Sequence, residues 1–368
     1  MKIRLFGQRN ILGGGVHFAE FADALKQLSF LGAAVEEVDL TKATDVETAL
    51  RGIGTDDINI WFWRHPAIAR AAGYNVVWAI FESDFIRSDF VNYFQQSADL
   101  VWVPSAWGKG VLERNGVAAD KVDVVPEGVS AAKYHPFLRG ERTKRPDKFK
   151  FLIVGKYEVR KGYSELLEAF ARVFGDRNDV ELLIKADFFL KHDEKKQQLE
   201  REVADWRLGN VKLLWGAWPE QQLYALFNHA DAFVFPSKAE GWGLPLIQAL
   251  ACGLPTLATN YSGQSEYLGG IDGRFIPIEY SLEAITDPEF LSFWPPENAM
   301  AGNWAKPHVD SLANALEQMV DQYDRCRENA VSASEIIRRS FDWAGAATSA
   351  LESLSRRGRL RTQLKLSI

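Results

Sequence analysis

The sequence predicts an α/β protein with two doubly wound parallel sheets, one in each of two domains. Short apolar segments without polar alternation recur along the chain, and helical patterns follow most of them. Strands that are covered by helices on both faces have this composition, and strands alternating with helices form parallel sheets. The chain of 368 residues is also longer than one hydrophobic core usually supports. We therefore expect domains at residues 1–140 and 141–340, followed by a helix and a basic tail at 341–368.

The N-terminal domain is predicted from a strand, a glycine-containing loop and a helix. The strand is Lys2–Phe6, the loop ends in Gly13, Gly14 and Gly15, and the helix runs from about Val16 to Leu31. This arrangement is typical of a doubly wound sheet that binds ligands at the carboxyl ends of its strands. Further strands are predicted at Ala34–Val38, Ile58–Trp63, Asn75–Ile80 and Leu100–Pro104.

Two side chains follow strands at this predicted ligand-binding edge. His65 comes after the strand that ends at Trp63, and Glu82 comes after the next one. Because the carboxyl ends of parallel strands lie at one edge of the sheet, both are candidate ligand contacts. A plain loop histidine and a solvated carboxylate are the alternatives, and the sequence leaves them open.

A polar and basic segment, Leu138–Lys150, has the profile of a linker between domains. The second domain begins with a strand at Phe149–Val154, a loop that ends at Gly162, and a helix at Tyr163–Phe174. Its later elements alternate in the same way, which predicts a second parallel sheet. They are strands at Val180–Lys185 and Val211–Trp215 and helices at Asp193–Arg207 and Glu220–Ala230.

The stretch from Ala230 to Asn260 combines a strand, a glycine-broken loop and a helix. The strand is Ala232–Phe235, and Gly243 ends the loop. A loop of this kind directs free backbone N–H groups and the positive end of a helix dipole at one point, which suits a phosphate. Beyond it we expect a strand at Pro255–Thr259, an irregular segment at Ile278–Pro307, and helices at Val309–Cys326, Glu328–Ser340 and Trp343–Leu354.

The sequence of this stretch, E-G-W-G-L-P-L-I-Q-A-L-A-C-G-L-P, resembles the E-G-F-G-L-P-x-x-E-A-M-A-C-G-x-P signature of family-4 retaining glycosyltransferases. The resemblance implies the GT-B fold, in which two Rossmann-like domains face each other across a cleft and a C-terminal helix returns to the N-terminal domain. Trp343–Leu354 is the candidate for that helix. Glu240 matches the acid that meets the donor sugar, and Gln248 stands where the family has an acid that binds the ribose. A neutral amide predicts weaker ribose binding than a carboxylate.

A second motif carries the same resemblance. Relatives have G-R-x-x-x-x-K-G after the first strand of this domain, with the arginine and the lysine holding the donor diphosphate. Lys161 matches the lysine, and Lys156 replaces the arginine. Two cations at this place stabilise the charge that develops on a departing diphosphate. Arg160 compensates for the missing arginine only if its side chain points the same way, which the sequence does not show.

The resemblance also assigns roles to residues of the N-terminal domain. A Gly-Gly loop of the family closes over the donor phosphates, and Gly14 and Gly15 match it. His17 occupies a position that is often polar, and Glu82 replaces a histidine near the donor sugar, so both, with His65, are candidate contacts to the sugar or acceptor. The implied donor contacts are Gly14, Gly15, Gly241, Trp242, Gly243, Leu244 and Gln248.

The implied activity is that of a retaining, metal-independent hexosyltransferase that moves a sugar from a nucleoside-diphosphate sugar to an acceptor hydroxyl. Glu240, Lys161 and Lys156 are the candidate catalytic residues. No cofactor is expected, because the histidines are scattered and no D-x-D follows a strand at the predicted site. The acceptor is a carbohydrate, a lipid-linked molecule or a protein, and the sequence does not distinguish these.

Composition indicates a soluble enzyme of the cytoplasm. The net charge of −6 argues against general nucleic-acid binding. The two cysteines, Cys252 and Cys326, have no metal-binding spacing, and no signal peptide or apolar run of about 20 residues is evident. The basic tail Ser355–Ile368 either contacts anionic lipid at the inner membrane face or stays solvated.

Two other functions remain open. A nucleotide-sugar epimerase of the GT-B type would use the same donor site without an acceptor and needs a catalytic acid pair in the N-terminal domain. Only Glu82 and Asp84 are candidates for that pair. A non-catalytic scaffold subunit that binds nucleotide sugars is the other alternative, and the Gln248 and Lys156 departures favour it.

Overall fold

The computed structural model describes residues 1–28, 33–62, 70–136, 146–175, 177–188, 192–292 and 301–360. The chain forms two compact units. The first comprises Met1–Phe81, Phe85–Ser130 and Phe341–Ile368, and the second comprises Glu82–Asp84 and Ala131–Ser340. The boundary that we predict after residue 140 falls within residues 137–145, outside the described residues.

The first unit contains a six-stranded parallel sheet. Across the sheet the strands are ordered β2-β1-β3-β4-β5-β6, and every neighbouring pair is parallel. After β1 the chain adds β2 on one side of it and then β3 to β6 on the other side, so the strand order reverses between β1 and β3. Ligands of doubly wound sheets bind at such a point. The strands are β1 (Lys2–Gly7), β2 (Ala34–Asp39), β3 (Ile58–Phe62), β4 (Tyr74–Trp78), β5 (Leu100–Val103) and β6 (Val122–Val124).

The first helix, α1 (Gly13–Gln27), begins before its predicted start at Val16. The side-chain Oδ1 of Asn10 accepts a hydrogen bond from the backbone N–H of Leu12 at 2.9 Å. A Cβ on Gly15 would lie 2.2 Å from that oxygen, so this turn needs a residue without a side chain. The three glycines therefore form the first turn of the helix and not the end of a loop.

The C-terminal helix, α13 (Trp343–Arg356), packs within the first unit, as expected for the helix that returns to the N-terminal domain. Asp342 caps it by accepting the N–H of Gly345 at 2.6 Å. Ser353 accepts from the indole of Trp102 at 2.9 Å and donates to Asp123 at 2.6 Å, which fixes the helix to the sheet. The other helices of this unit are α2 (Ala43–Arg51), α3 (Ser88–Gln96) and α4 (Ala106–Arg114).

The second unit contains another six-stranded parallel sheet, with the order β12-β11-β10-β7-β8-β9. If these strands are numbered 1 to 6 from β7 and the order is read from the β9 edge, it is the 3-2-1-4-5-6 order of dinucleotide-binding domains. The strand order reverses between β7 and β10. Apolar side chains of helices pack against one face of the sheet in a single hydrophobic cluster. The strands are β7 (Phe149–Lys156), β8 (Val180–Asp187), β9 (Val211–Trp215), β10 (Ala232–Phe235), β11 (Thr256–Thr259) and β12 (Ile276–Ile278).

Two predictions for the second unit are wrong. The helix predicted at Val309–Cys326 is two helices, because the backbone turns at Gln322 and buries Tyr323 edge-on against Phe149, with ring centroids 5.1 Å apart. The segment predicted to be irregular contains the antiparallel strands β13 (Tyr280–Ala284) and β14 (Asn303–Pro307). The helices are α5 (Tyr163–Phe174), α6 (His192–Asp205), α7 (Glu220–His229), α8 (Leu244–Ala251), α9 (Ser265–Leu268), α10 (Pro288–Leu291), α11 (Val309–Asp321) and α12 (Tyr323–Ser340).

Across the described ranges, none of these helices combines the length and the apolar character that crossing a membrane requires.

Candidate active site

Two loops meet where the strand order of the second sheet reverses. The loop after β7 contains a 3₁₀ turn at Val159–Lys161, and the loop after β10 leads from Pro236 to Gly243. The backbone N–H of Lys238 donates to the carbonyl of Arg160 at 2.7 Å. Gly162 has a φ of +73°, and a Cβ there would lie 2.3 Å from the carbonyl oxygen of Pro236. Glycine is thus required at this position, and the two loops are held in contact.

This contact brings Lys161 and Glu240 together. The Nζ of Lys161 lies 2.5 Å from Oε1 of Glu240, and the hydroxyl of Ser237 donates to the same oxygen. Glu240 is only 4% exposed. Burial alone raises the pKa of this carboxyl, but the charges of Lys161 and Arg160 and the two hydrogen bonds outweigh burial and bring the pKa to about 2. Glu240 is therefore a buried carboxylate that stays ionised.

Arg160 connects three acids. Its Nη1 lies 3.2 Å from Oε2 of Glu240 and donates to the carbonyl of Ala239 at 2.5 Å. Its Nη2 lies 2.8 Å from Oε1 of Glu82 and 3.0 Å from Oε2 of Glu158. Burial lowers the pKa of the guanidinium, but the surrounding carboxylates raise it further, so Arg160 remains charged. The sequence did not show which way Arg160 points; in the structure its side chain points into the site.

Glu82 joins this cluster because its segment, Glu82–Asp84, is held within the second unit. The carboxylate of Asp84 accepts the backbone N–H of Asn303 at 2.6 Å and its side-chain amide at 3.0 Å. The indole N–H of Trp304 donates to the carbonyl oxygen of Glu82 at 2.7 Å. Burial raises the pKa of Glu82, Arg160 lowers it, and two neighbouring acids raise it again, so that it ends above its usual value. Glu82 and Glu240 therefore share one guanidinium and have opposite pKa shifts.

The loop that carries Glu240 is fixed up to the start of α8. Gly243 has a φ of +90° at the N-cap, and the hydroxyl of Tyr267 donates to the carbonyls of Trp242 and Gly243 at 3.0 and 3.2 Å. The N–H of Glu240 donates to Oγ of Ser262 at 2.8 Å. The indole of Trp242 is buried against Tyr267, so this side chain shapes the loop. Of the remaining predicted donor contacts, Gly241 is buried, and Leu244 and Gln248 are half-buried on α8.

The remaining predicted site residues are divided between the two units. Lys156 is half-buried at the end of β7, and its charge helps, after Arg160 and Lys161, to lower the pKa of Glu158 against the effect of burial. Gly14 and Gly15 lie in the first turn of α1, in the first unit. His65 lies outside the described residues.

His17 is completely buried in the first unit, where its ring packs against the rings of Phe62, Trp78 and Trp343. Burial lowers the pKa of its imidazole to about 3. In this structure the ring presents no surface to a sugar or an acceptor. Its Nδ1 lies 3.6 Å from Oε1 of Glu127, a buried acid that the sequence did not indicate.

Sequence reasoning also missed Glu158 and Ser237. Each lies within a few residues of a motif residue, but an ordinary charged or hydroxyl side chain in a loop gives no signal of its own. Within the described part of the chain, no group of three or more His, Cys, Asp and Glu side chains is arranged to hold a metal ion.

The fold is the GT-B fold. The structure of Anabaena HepE in complex with UDP and glucose aligns with a TM-score of 0.69 at 16% identity and covers 97% of this chain and 100% of that chain. Residues 135–287 match the family model described as "Glycosyl transferases group 1".

Two curated relatives are similar to this chain over part of their length. A D-inositol 3-phosphate glycosyltransferase of Paenarthrobacter aurescens is 28% identical over 261 residues, which are 70% of this chain and 57% of that protein. A protein of the same name from Pseudarthrobacter chlorophenolicus is 30% identical over 173 residues, which are 46% of this chain and 41% of that protein. The chain thus spans little more than half of the first relative.

Proposed function

We propose that this protein transfers a sugar from a nucleoside-diphosphate sugar to an acceptor hydroxyl, with retention of configuration and without a metal ion. The observation that carries the proposal is the 2.5 Å contact between Lys161 and Glu240 at the strand-order reversal of the second sheet. That place is where doubly wound sheets bind nucleotides. A buried ammonium and an ionised carboxylate side by side supply the two groups that a diphosphate and a sugar need.

The charges of the site suit the departure of a diphosphate. Negative charge grows on the diphosphate as the glycosidic bond breaks, and cations held in place stabilise that state more than the ground state. Lys161 and Arg160 are buried cations, Lys156 is half-buried nearby, and the N-terminus of α8 adds backbone N–H groups. In this proposal the incoming diphosphate replaces Glu240 as the partner of Lys161.

Glu240 would then be free to accept hydrogen bonds from the hydroxyls of the donor sugar. An ionised carboxylate holds such hydroxyls more strongly than a neutral group. The acceptor hydroxyl attacks the anomeric carbon on the face from which the diphosphate departs, and a donor phosphate oxygen takes its proton. No side chain of the protein forms a covalent bond to the sugar in this scheme.

The test is donor binding and turnover by the full chain. UDP-glucose, GDP-mannose and ADP-glucose are screened by melting temperature, because a ligand that binds only the folded state raises it. Hydrolysis of the donor that binds is then measured with and without a chelator, and proton NMR reports the configuration of the released sugar. We expect retained configuration and unchanged turnover in the chelator.

Lys161→Ala should weaken the affinity for this donor by about 10- to 100-fold, because a charge-assisted contact to phosphate is lost. Lys212→Ala is the matched control, since Lys212 is exposed in the same unit and pairs with Glu181. Equal affinities of the two variants would remove Lys161 from the site. An interconverted donor would favour the epimerase, and binding without turnover would favour the scaffold.

A further inference from the structure

The cluster around Arg160 in the second unit holds three acids and two cations in direct contact. Three carboxylates, those of Glu82, Glu158 and Glu240, surround the ammonium of Lys161 and the guanidinium of Arg160 at contact distances of 2.5 to 3.2 Å. With all five groups ionised they carry one excess negative charge, which the half-buried Lys156, whose charge also acts on Glu158, offsets in part. A nucleotide sugar brings a diphosphate with two further negative charges into this place. Like charges at such short range in a buried site repel strongly.

The three acids differ in how firmly they are held in the ionised form. Glu240 has two cations and the Ser237 hydroxyl as partners, and its pKa is about 2. Glu158 also has a lowered pKa, because nearby cations, Arg160 first, outweigh the effect of burial. Glu82 contacts only the Nη2 of Arg160 in the described ion pairs, and burial with two neighbouring acids raises its pKa. Glu82 is the acid that gives up its charge most easily.

Among the described residues, charged and polar groups from three elements face Glu82. The 3₁₀ turn presents Arg160 and Lys161, and the residue before that turn is Glu158. The loop after β10 presents Glu240, and β14 presents the uncharged indole of Trp304. Asp84, on the segment of Glu82 itself, is bound to Asn303. The side chain of Glu82 keeps 35% of its surface exposed, so a proton from solvent can reach it.

We propose that binding of the nucleotide-sugar diphosphate beside Lys161 and Arg160 is coupled to the uptake of one proton from solvent by the carboxylate of Glu82. The inference rests on the proposed function. An O–H bond forms on Glu82, and the proton comes from water or buffer. The net charge of the five groups and the diphosphate changes from −3 to −2. Arg160 loses one of the two carboxylates on its Nη2 and can turn this nitrogen towards a phosphate oxygen.

The coupling makes donor affinity dependent on pH. A binding step that takes up one proton loses up to tenfold in affinity for each unit of pH increase, by the same linkage that connects pKa shifts to stability. Nucleotide sugars are suitable probes, because their phosphates are diesters that do not titrate near neutral pH. A change in affinity with pH therefore reports on the protein.

The experiment is isothermal titration calorimetry of the full chain with UDP-glucose, GDP-mannose and ADP-glucose, in three buffers of different ionisation enthalpy at pH 7. The observed enthalpy should vary with the buffer and indicate uptake approaching one proton. Glu82→Gln should bind the same donor with an enthalpy that does not depend on the buffer. Glu181→Gln, the control, should keep the uptake, because Glu181 is a buried acid that pairs with Lys148 and Lys212 outside this cluster.

Donor binding by the unsubstituted protein without proton uptake would overturn this inference and leave the proposed function intact. Uptake that persists in Glu82→Gln would overturn it as well. If none of the three donors binds, the proposed function fails, and the inference fails with it. Should Glu82→Gln not fold, the buffer and pH dependence of the unsubstituted protein still decides whether a proton is taken up.

Discussion

Two buried acids, one in each unit, reach opposite states of ionisation. Glu240 follows β10 and Glu127 follows β6, each is followed directly by a glycine, and they are 4% and 1% exposed. Burial raises the pKa of both carboxyls. For Glu240, Lys161 and Arg160 outweigh burial and bring the pKa to about 2, whereas the pKa of Glu127 is raised well above its usual value.

The difference lies in the partners. Among the described residues, the titratable group beside Glu127 is His17, whose imidazole is itself kept neutral by burial among aromatic rings. A neutral imidazole 3.6 Å away does little to stabilise a negative charge. Glu127 is therefore a neutral acid within the core of the first unit, while Glu240 is an ion whose charge is available for chemistry. Burial of an acid alone therefore does not identify a functional site, and the cations beside Glu240 are what keep its charge available.

Glu240→Gln should give the largest effect. The amide keeps the shape of the side chain but removes the negative charge that is proposed to hold the sugar hydroxyls. We expect the turnover of donor hydrolysis to fall by about 100- to 1000-fold, as when other preorganised charge-stabilising groups are removed. Donor affinity should change much less, so the measurement is kcat and KM separately.

Glu127→Gln is the matched control for that prediction. The amide replaces an acid that is already neutral, so the turnover should stay within about twofold of the unsubstituted value. Equal losses in the two variants would contradict the distinction between the two acids and would indicate that either substitution disturbs the fold.

The pH dependence of stability gives the second effect. The pKa of Glu127 is raised in the folded state, so this acid holds a proton that the unfolded chain releases above its usual pKa of 4.5. Its stabilising contribution is complete below pH 4.5 and is lost as the pH rises from there towards the folded pKa, by at most about 1.4 kcal/mol per unit. Glu127→Gln removes this loss.

The stability of Glu127→Gln relative to the unsubstituted protein should therefore increase between pH 5 and pH 7. Urea unfolding at the two pH values measures it. Over the same range the contribution of His17 works in the opposite sense, because its lowered pKa makes the folded state less stable as the pH falls below 6.5. Both proteins contain His17, so its effect cancels in the difference. A difference that does not change with pH would show that Glu127 is ionised in the folded protein.

Much of the fold follows from the sequence because buried strands and amphipathic helices have local patterns. The bounds of α5, β9 and β10 are those that the patterns predict. The break at Gln322 could not be predicted, since the apolar spacing continues through it and the turn depends on burying Tyr323 against another element. The strands β13 and β14 form a two-stranded antiparallel ribbon in which β13 is mostly exposed and β14 ends in Pro307, so it lacks the pattern of a buried sheet.

The site could be predicted only as far as its motifs extend. Lys161 and Glu240 lie 79 positions apart, and their motifs predicted that they meet. The partners of these residues depend on side-chain direction, which no local pattern encodes. Arg160 could have pointed to solvent, and the position of Glu82 within the second unit depends on the hydrogen bonds of Asp84 and Trp304 that hold its segment. The difference between Glu127 and Glu240 likewise requires knowledge of which charges surround each carboxyl.

The smallest effect is expected from Ser237→Ala, which removes one partner of Glu240 and leaves both cations. The buried hydroxyl of Ser237 donates to Oε1 of Glu240, and its loss raises the pKa of the carboxyl. Because Lys161 and Arg160 remain, Glu240 stays ionised at neutral pH, and turnover should fall only about 3- to 10-fold, a part of the value of a hydrogen bond to a charged group.

The acidic limb of the pH–turnover profile separates this explanation from simple misfolding. In Ser237→Ala the limb should move to higher pH, whereas Ser292→Ala, an exposed serine of the same unit, should leave it in place. If Ser237→Ala lowered turnover as much as Glu240→Gln, the hydroxyl and not the pair of cations would be the partner that keeps Glu240 charged. The difference between the two buried acids would then rest on one hydrogen bond, because Glu240 would lose its charge as soon as that bond was removed.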